Sequence, residues 1–286
     1  MPYHWHWEVS DDEVLNSLTM HTTSHYKNRL AKQFSRAASH YDNQAAVQLD
    51  IANDALALLP QHCGTALDLG CGTGRVTYRL AQRSHQLIAV DLALGMLQHA
   101  RNGYAADDIL WLQGDAEHLA LSDASVQTVF SSMVLQWCQS PIKVMQEVNR
   151  VLQPGGQAVV ALMCEGSFNE LQQVWAQLDN QRHINQFHRA NHWQQAALDS
   201  GMQCTLVQKC YQTRHVNLRA LLSSIKGIGA NIVINPDRQT KEVSDSRFNR
   251  RTLEKLEAVY FALYGDNRQL PLSYHIAFLH CVKLKG

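Results

Sequence analysis

From Thr65 onward, short apolar runs alternate with stretches whose apolar residues recur at three- and four-residue spacing. Runs of the first kind suit buried strands and stretches of the second suit helices, so the pattern predicts β-α units feeding a parallel sheet. The strands fall at 65–69, 86–91, 109–113, 126–132 and 157–163, with helices between them at 76–82, 96–101 and 142–152. Gln153-Pro154-Gly155-Gly156 then breaks the last helix and turns the chain into the fifth strand.

Past Cys164 the pattern changes to Gln-rich helical segments at 168–178 and 192–200, followed by a β-like run at 205–211. Helices at 218–225 and 250–263 precede a closing strand at 275–284. The fold class expected is α/β, a doubly wound, seven-stranded and mostly parallel sheet, with a helical cap inserted between the last strands over the sheet's carboxyl edge. Residues 1–24 show neither period and are expected to be a poorly ordered extension, with Ser24 capping the first helix. That leaves 25–165 as a ligand-binding core with N-terminal helices, and 166–286 as the completion of the sheet plus the cap.

Composition narrows the class. Apolar residues make up 45% of the chain and charged residues 17%, enough apolar material to offset the entropy of ordering. The seven cysteines are scattered, with no Cys-x-x-Cys, so neither a disulfide framework nor a zinc ribbon is indicated. No apolar run approaches the about 18 residues of a membrane span, and the first residues lack the pattern of a secretory signal, so a reducing cytoplasm is expected. His183, His188 and His192 have no carboxylate or thiolate companion at metal-ligand spacing, and no metal is expected.

The formal net charge of zero conceals an asymmetry. Residues 1–165 hold 10 Lys/Arg against 16 Asp/Glu, whereas 166–286 hold 15 against 9. A basic half, including Arg247, Arg250 and Arg251, suits an acidic partner; the alternative is an ordinary solvated surface. Dense basic stripes with interleaved aromatics are missing from it, which speaks against nucleic acid.

The most informative segment is Leu67-Asp68-Leu69-Gly70-Cys71-Gly72-Thr73-Gly74, placed after a strand and before a helix. Glycines at alternate positions let the backbone turn tightly and approach a ligand where a side chain would clash. Dinucleotide folds use Gly-x-Gly-x-x-Gly to seat a pyrophosphate on a helix N-terminus. Here the spacing is Gly-x-Gly-x-Gly, with Asp68 two residues before Gly70. That carboxylate repels an anion and attracts the cationic amino-acid end of S-adenosylmethionine, so this methyl donor is preferred over NAD. Asp91, 21 residues after Gly70, ends the second strand where a carboxylate accepts both ribose hydroxyls; the alternative is a helix cap. Asp115, in Gly114-Asp115-Ala116-Glu117, is placed to meet the adenine amino group, with Leu92 and Met96 on the adenine faces.

In order along the chain, the glycine loop, Asp91, the Gly114-Asp115 pair and Leu152-Gln153-Pro154-Gly155-Gly156 resemble class I S-adenosylmethionine methyltransferases over about residues 60–163. The resemblance implies S-adenosylmethionine as cofactor, held by Tyr41, Asp68, Gly70, Cys71, Gly72, Gly74, Asp91, Leu92, Met96, Asp115, Ala116 and Met133. A narrower likeness extends outside this core. Phe34-Ser35-Arg36-Ala37-Ala38-Ser39-His40-Tyr41, Val134-Leu135-Gln136-Trp137-Cys138 and Gly166-Ser167-Phe168-Asn169-Glu170-Leu171 resemble malonyl-acyl carrier protein O-methyltransferases. So do Leu222-Ser223-Ser224-Ile225-Lys226-Gly227-Ile228-Gly229-Ala230 and Leu270-Pro271-Leu272-Ser273-Tyr274-His275. The likeness spans about residues 27–284 and departs at Leu270, where Tyr or Phe is common.

That family methylates the free carboxylate of a malonyl thioester on an acidic carrier protein, which masks the charge so that chain extension toward pimelate and biotin proceeds. A carboxylate with pKa near 4 is already ionised at neutral pH, so the reaction needs alignment rather than a base. No residue is assigned as a base; Tyr274, His275 and Gln136 are positioning candidates. Gln136, Trp137, Arg182, Lys226, Tyr274 and His275 are the candidates for holding the malonyl group, since a buried carboxylate needs donors. Each has an ordinary alternative: Trp137 as core, Lys226 as a solvated helix end, His275 as a satisfied strand histidine. Rival functions are methylation of another small carboxylic acid or a quinone precursor, and a non-catalytic S-adenosylmethionine-binding module.

Overall fold

The computed structural model describes residues 11–44, 46–104, 109–178, 183–227 and 250–285, with only the backbone path for 11–24, 43 and 44. Seven strands, β1 (Gly64–Leu69), β2 (Ser84–Asp91), β3 (Ile109–Gln113), β4 (Val126–Ser132), β5 (Leu152–Met163), β6 (Met202–His215) and β7 (Leu270–Lys283), form one sheet in the order β3-β2-β1-β4-β5-β7-β6. The first five run parallel, and β7 is antiparallel to both β5 and β6. Around the sheet lie α1 (Asp11–Gln44), α2 (Ala46–Ala57), α3 (Thr77–Ala81), α4 (Leu94–Gly103), α5 (Pro141–Val151), α6 (Asn169–Ala176), α7 (Ala190–Asp199), α8 (Leu218–Gly227) and α9 (Arg250–Tyr264). The strand order reverses between β1 and β4, and ligands of such sheets bind outside the carboxyl ends at that point.

Covering both faces of the sheet explains why its central strands read as continuous apolar runs rather than alternating ones. Phe130 and Val159 point into one apolar layer, with Ile51 of α2 and Tyr260 of α9. Their neighbours Val129 and Val160 point into the other, with Val144 of α5 and Trp193 of α7. The expected α/β sheet is the one found.

Several boundaries differ. Leu152, expected to end a helix, instead pairs with Val126 as the first residue of β5, and the register shifts before Gln157 pairs with Thr128. Pro154-Gly155-Gly156 therefore sits inside a strand as an irregularity, with Gly155 at φ +78°. Ser24 does not cap the first helix, because α1 already runs from Asp11 and passes through it. β7 begins at Leu270, five residues before the expected start, and pairs Ile276 with Met163. Residues 270–275 thus run past the carboxyl end of β5, where Tyr260 of α9 donates to the Pro271 carbonyl at 2.7 Å. Arg182 and Arg247 lie outside the described residues.

α1 crosses the carboxyl side of the sheet and is fastened to the segment that follows each of β1 to β4. Thr73, after β1, donates to the Asp42 carboxylate at 2.7 Å, and the Gly95 N–H, after β2, donates to the Ser35 hydroxyl at 3.1 Å. After β3, Lys27 pairs with Asp115 at 2.5 Å and with Glu117; after β4, Tyr26 donates to the Trp137 carbonyl at 3.1 Å. Gly95 sets the approach of α1 to α4, since a Cβ there would stand 2.6 Å from Ser35 Cβ. Helix propensity alone favours Gly95→Ala by about 0.8–1 kcal/mol, while the overpacking costs about 1–3 kcal/mol. Scanning calorimetry of Gly95→Ala should therefore show a lower Tm; a higher Tm would mean that α1 does not pack as described.

Candidate active site

At the reversal point the loop after β1 is drawn tightly onto the end of β2. Gly70 N–H and Cys71 N–H both donate to the Val90 carbonyl, at 2.7 and 3.0 Å, and Gly72 N–H donates to Asp91 Oδ2 at 2.9 Å. Asp91 Oδ1 accepts the Ala93 N–H at 2.8 Å, so the side chain ties the turn before α4 as well. The turn-capping alternative for Asp91 is therefore observed, and the same carboxylate lines the larger lobe of the cleft described next. Burial raises its pKa, opposed by the N–H groups of Ala93, Gly72 and Leu92.

Gly70, Gly72 and Gly74 all have positive φ, at 82°, 54° and 82°, yet their reasons differ. A Cβ on Gly70 would stand 2.2 Å from Val134, whereas one on Gly72 would meet nothing within 4 Å. Gly72 faces open space, as a residue that cradles a ligand must. Gly74 lines neither lobe of the cleft described next; a Cβ there would press on Ala100, Trp111 and Tyr104. Its lack of a side chain makes room for α4 and β3.

Two lobes open on either side of this loop and share Tyr41, Gly70, Gly72, Ser132 and Met133 as their common wall. The larger, about 810 Å³ with its mouth, brings together Asp91, Leu92, Met96, Asp115, Ala116 and Trp137, and α1 closes it with Lys27, Leu30, Ala31 and Phe34. The smaller, about 550 Å³, contains Asp68, Cys71, Asp42, Thr73 and Arg75. Thr77 donates to Asp68 Oδ2 at 2.6 Å. Burial, and next the Asp91 charge, push Asp68 up to about 7, against the Thr77 hydrogen bond. Asp115 is engaged by Lys27 and by the Glu117 N–H at 3.0 Å, so its carboxylate fastens α1 at the lip of the larger lobe.

Other candidates lie elsewhere. Tyr274 is 1% exposed and is linked to the cleft by a chain of edge-to-face aromatic contacts: Phe168 at 5.1 Å, then Phe187, Trp137 and Phe34. His275, next along β7, points to the other face, its Nε2 4.0 Å from the Cys210 thiol. Gln136 turns back to donate to the Met133 carbonyl at 2.7 Å, and Lys226 is exposed at the end of α8. Of the described residues expected to hold substrate, Trp137 alone lines the cleft.

Sequence reasoning missed two polar groups in the shared wall and the smaller lobe. The Gln48 amide and the Ser132 hydroxyl are buried without a hydrogen-bond partner among the described residues, and both line the cleft. The signal for Gln48 was there: a lone glutamine on the buried face of α2, between Val47 and Ile51.

Comparison with known proteins places this geometry. A family model described as a methyltransferase domain matches residues 67–160, from the end of β1 to β5. A malonyl-[acyl-carrier protein] O-methyltransferase of Yersinia pestis is 38% identical over 253 residues, 88% of this chain and 90% of the relative. The chain belongs to that family. Within the malonyl-[acyl-carrier protein] O-methyltransferase family and its relatives, the biotin biosynthesis bifunctional protein BioHC of Cellvibrio japonicus is 36% identical and matches 88% of this chain but 49% of its own length. Among solved structures, the YcgJ protein of Bacillus subtilis superposes with a TM-score of 0.56 at 15% identity, over 82% of this chain and 98% of that one, a likeness of fold.

The glycine loop generates a paired expectation. Gly72→Ala should cost about 1–2 kcal/mol through its left-handed φ, and Gly70→Ala should add about 1–3 kcal/mol from overpacking against Val134. Urea unfolding of the two variants checks the order; equal losses would refute the assignment of Gly72 to open space.

Proposed function

We propose that this methyltransferase transfers a methyl group from S-adenosylmethionine to the free carboxylate of a malonyl group on acyl carrier protein, an early step of biotin synthesis. The observation that carries the cofactor reading is the two-lobed cleft straddling Gly70–Gly72, with Asp91 in one lobe and Asp68 in the other. A nucleoside with a cationic amino-acid tail has that outline and that pattern of charge. The residues fit it: Gly72 leaves room for close approach, Leu92 and Met96 supply an apolar wall, and Gln48 and Ser132 have unused hydrogen-bonding capacity. The acceptor follows from the relatives, which carry the name malonyl-[acyl-carrier protein] O-methyltransferase.

When bound, the sulfonium supplies an electrophilic methyl group. Asp91 is placed to accept from the ribose hydroxyls, and Asp68 to attract the ammonium directly or through water. Trp137, Phe34 and Tyr41 exclude water from the reacting end. The phenol of Tyr41 and the thiols of Cys71 and Cys138 are all pushed up by burial, so none ionises near neutral pH. An acceptor that had to lose a proton would find no base among them, whereas a carboxylate is already ionised. Holding it in line with the methyl group is the remaining task, and positioning of this kind lowers barriers by about 7 kcal/mol or more.

Incubation of the full chain with labelled S-adenosylmethionine and malonyl-carrier should yield a carrier heavier by one methylene in the mass spectrum. Transfer to free acids and none to the carrier would refute the acceptor assignment. The Asp68 pKa gives a second expectation. A bound ammonium favours the ionised carboxylate, so binding expels a proton below pH about 7. S-adenosylhomocysteine affinity should therefore rise with pH through that value and level off above it. Calorimetry of Asp68→Asn should show weaker binding with that rise removed, and an unchanged pH profile would take Asp68 out of the ligand site.

A further inference from the structure

The inner face of α1 closes the donor cleft, and its outer face carries a basic stripe. Arg29, Lys32 and Arg36 are spaced by three and four residues and so share one side of the helix, flanked by His25 and His40. Between Val14 and Tyr41 the sequence has no Asp or Glu, within a half of the chain that is otherwise acid-rich. None of the three cations is ion-paired among the described residues, while Lys27, one turn away on the inner side, is paired twice. Leu94, beside the Gly95 that seats Ser35, adds a large apolar side chain that is 49% exposed.

The more numerous cations after Gly166 are arranged differently. Arg189 pairs with Glu165, Lys209 with Asp54, Arg214 with Asp266 and Arg250 with Glu254, and Lys283 donates to two backbone carbonyls. These five lie on β6, β7, α9 and the residue before α7. Arg219, Lys226, Arg251, Lys255, Arg268 and Lys285 have no ion pair among the described residues but are distributed over α8, α9, the turn before β7 and the residues after it. The run of unpaired cations with no carboxylate between them is on α1.

We propose that the outer face of α1, centred on Arg29, Lys32 and Arg36, is the docking surface for an acidic carrier protein. This rests on the functional reading above, since the carrier is the partner that delivers the malonyl thioester. A helix is about 10 Å across, so a carrier seated on the stripe lies one helix width from the cleft, within reach of an extended phosphopantetheine arm. The face suits an acidic helix of the partner by charge complementarity, which acts chiefly on encounter rate and register.

The test measures the Kd of the full chain for fluorescently labelled malonyl-carrier by anisotropy, at several salt concentrations, and for S-adenosylhomocysteine by calorimetry. Arg29→Glu/Lys32→Glu/Arg36→Glu should weaken carrier binding by about tenfold or more and flatten its salt dependence, with the S-adenosylhomocysteine Kd unchanged. Should reversal disturb the helix, Arg29→Gln/Lys32→Gln/Arg36→Gln keeps good helix formers and should still weaken carrier binding several-fold. Reversal of Arg250, Arg251 and Lys255 serves as the control and should leave carrier binding near that of the unmodified chain. Carrier binding and salt dependence unchanged in the Gln variant, while the unmodified chain methylates the carrier, would overturn the docking face alone. Failure of the unmodified chain to methylate the carrier would overturn the functional reading and the docking face with it.

Discussion

The turn after β1 is held from the neighbouring strand. One carbonyl, Val90, receives two N–H groups of the turn, and one buried carboxylate, Asp91, receives the next and the first N–H before α4. A buried carboxylate without donors would be costly, and the donors are loop N–H groups that no helix or ladder would otherwise satisfy. The arrangement fixes the backbone of Gly70–Gly72 against the carboxyl end of the sheet. The gap between the two lobes, the open space above Gly72 and the position of Asp91 within the larger lobe all follow from it. Glycine at both positions is a consequence: one has Val134 against its missing side chain, and the other has the cleft.

α1 completes the site by roofing it. Its fastenings use different chemistry on each loop: a hydroxyl to a carboxylate, a backbone N–H to a hydroxyl, a lysine between two carboxylates, and a phenol to a carbonyl. The roof takes the cleft away from water, and burial shifts the Tyr41 phenol and the Cys138 and Cys71 thiols lining it toward their neutral forms. The same desolvation strengthens the pull of Asp91 and Asp68 on any cation brought inside. One helix thereby shields the cleft from water on its inner side and carries cations with no ion pair among the described residues on its outer side.

At the Trp137 end of the cleft the wall is aromatic. Trp137 borders the cleft, and Phe187 and Phe168 continue from it to the buried ring of Tyr274. The Tyr274 ring sits at the far end of this chain rather than in the cleft. Gln136, adjacent to Trp137 in sequence, uses its amide to stabilise the carbonyl of Met133, a residue at φ 60°. It shapes the β4 loop from behind.

The residues that the sequence determined are those whose physics is local. The two-residue and three-to-four-residue periods mark strands and helices because each side chain's face depends on its own element. The alternate glycines mark a tight turn because φ belongs to a single residue, and Asp91 is legible because it ends a strand beside that turn. What only the tertiary structure decided involves partners far apart in the chain. Leu152 becomes a strand residue by pairing with Val126, Gly74 turns out to make room for Trp111, and His275 faces away from the cleft because of the register of β7 against β5. The roofing role of α1 depends on contacts 31 to 111 residues away in sequence, which no local pattern encodes. Gln48 stands between the two cases: its place on an apolar helix face was visible, but that its amide borders an open lobe depends on how α2 packs beside the glycine loop.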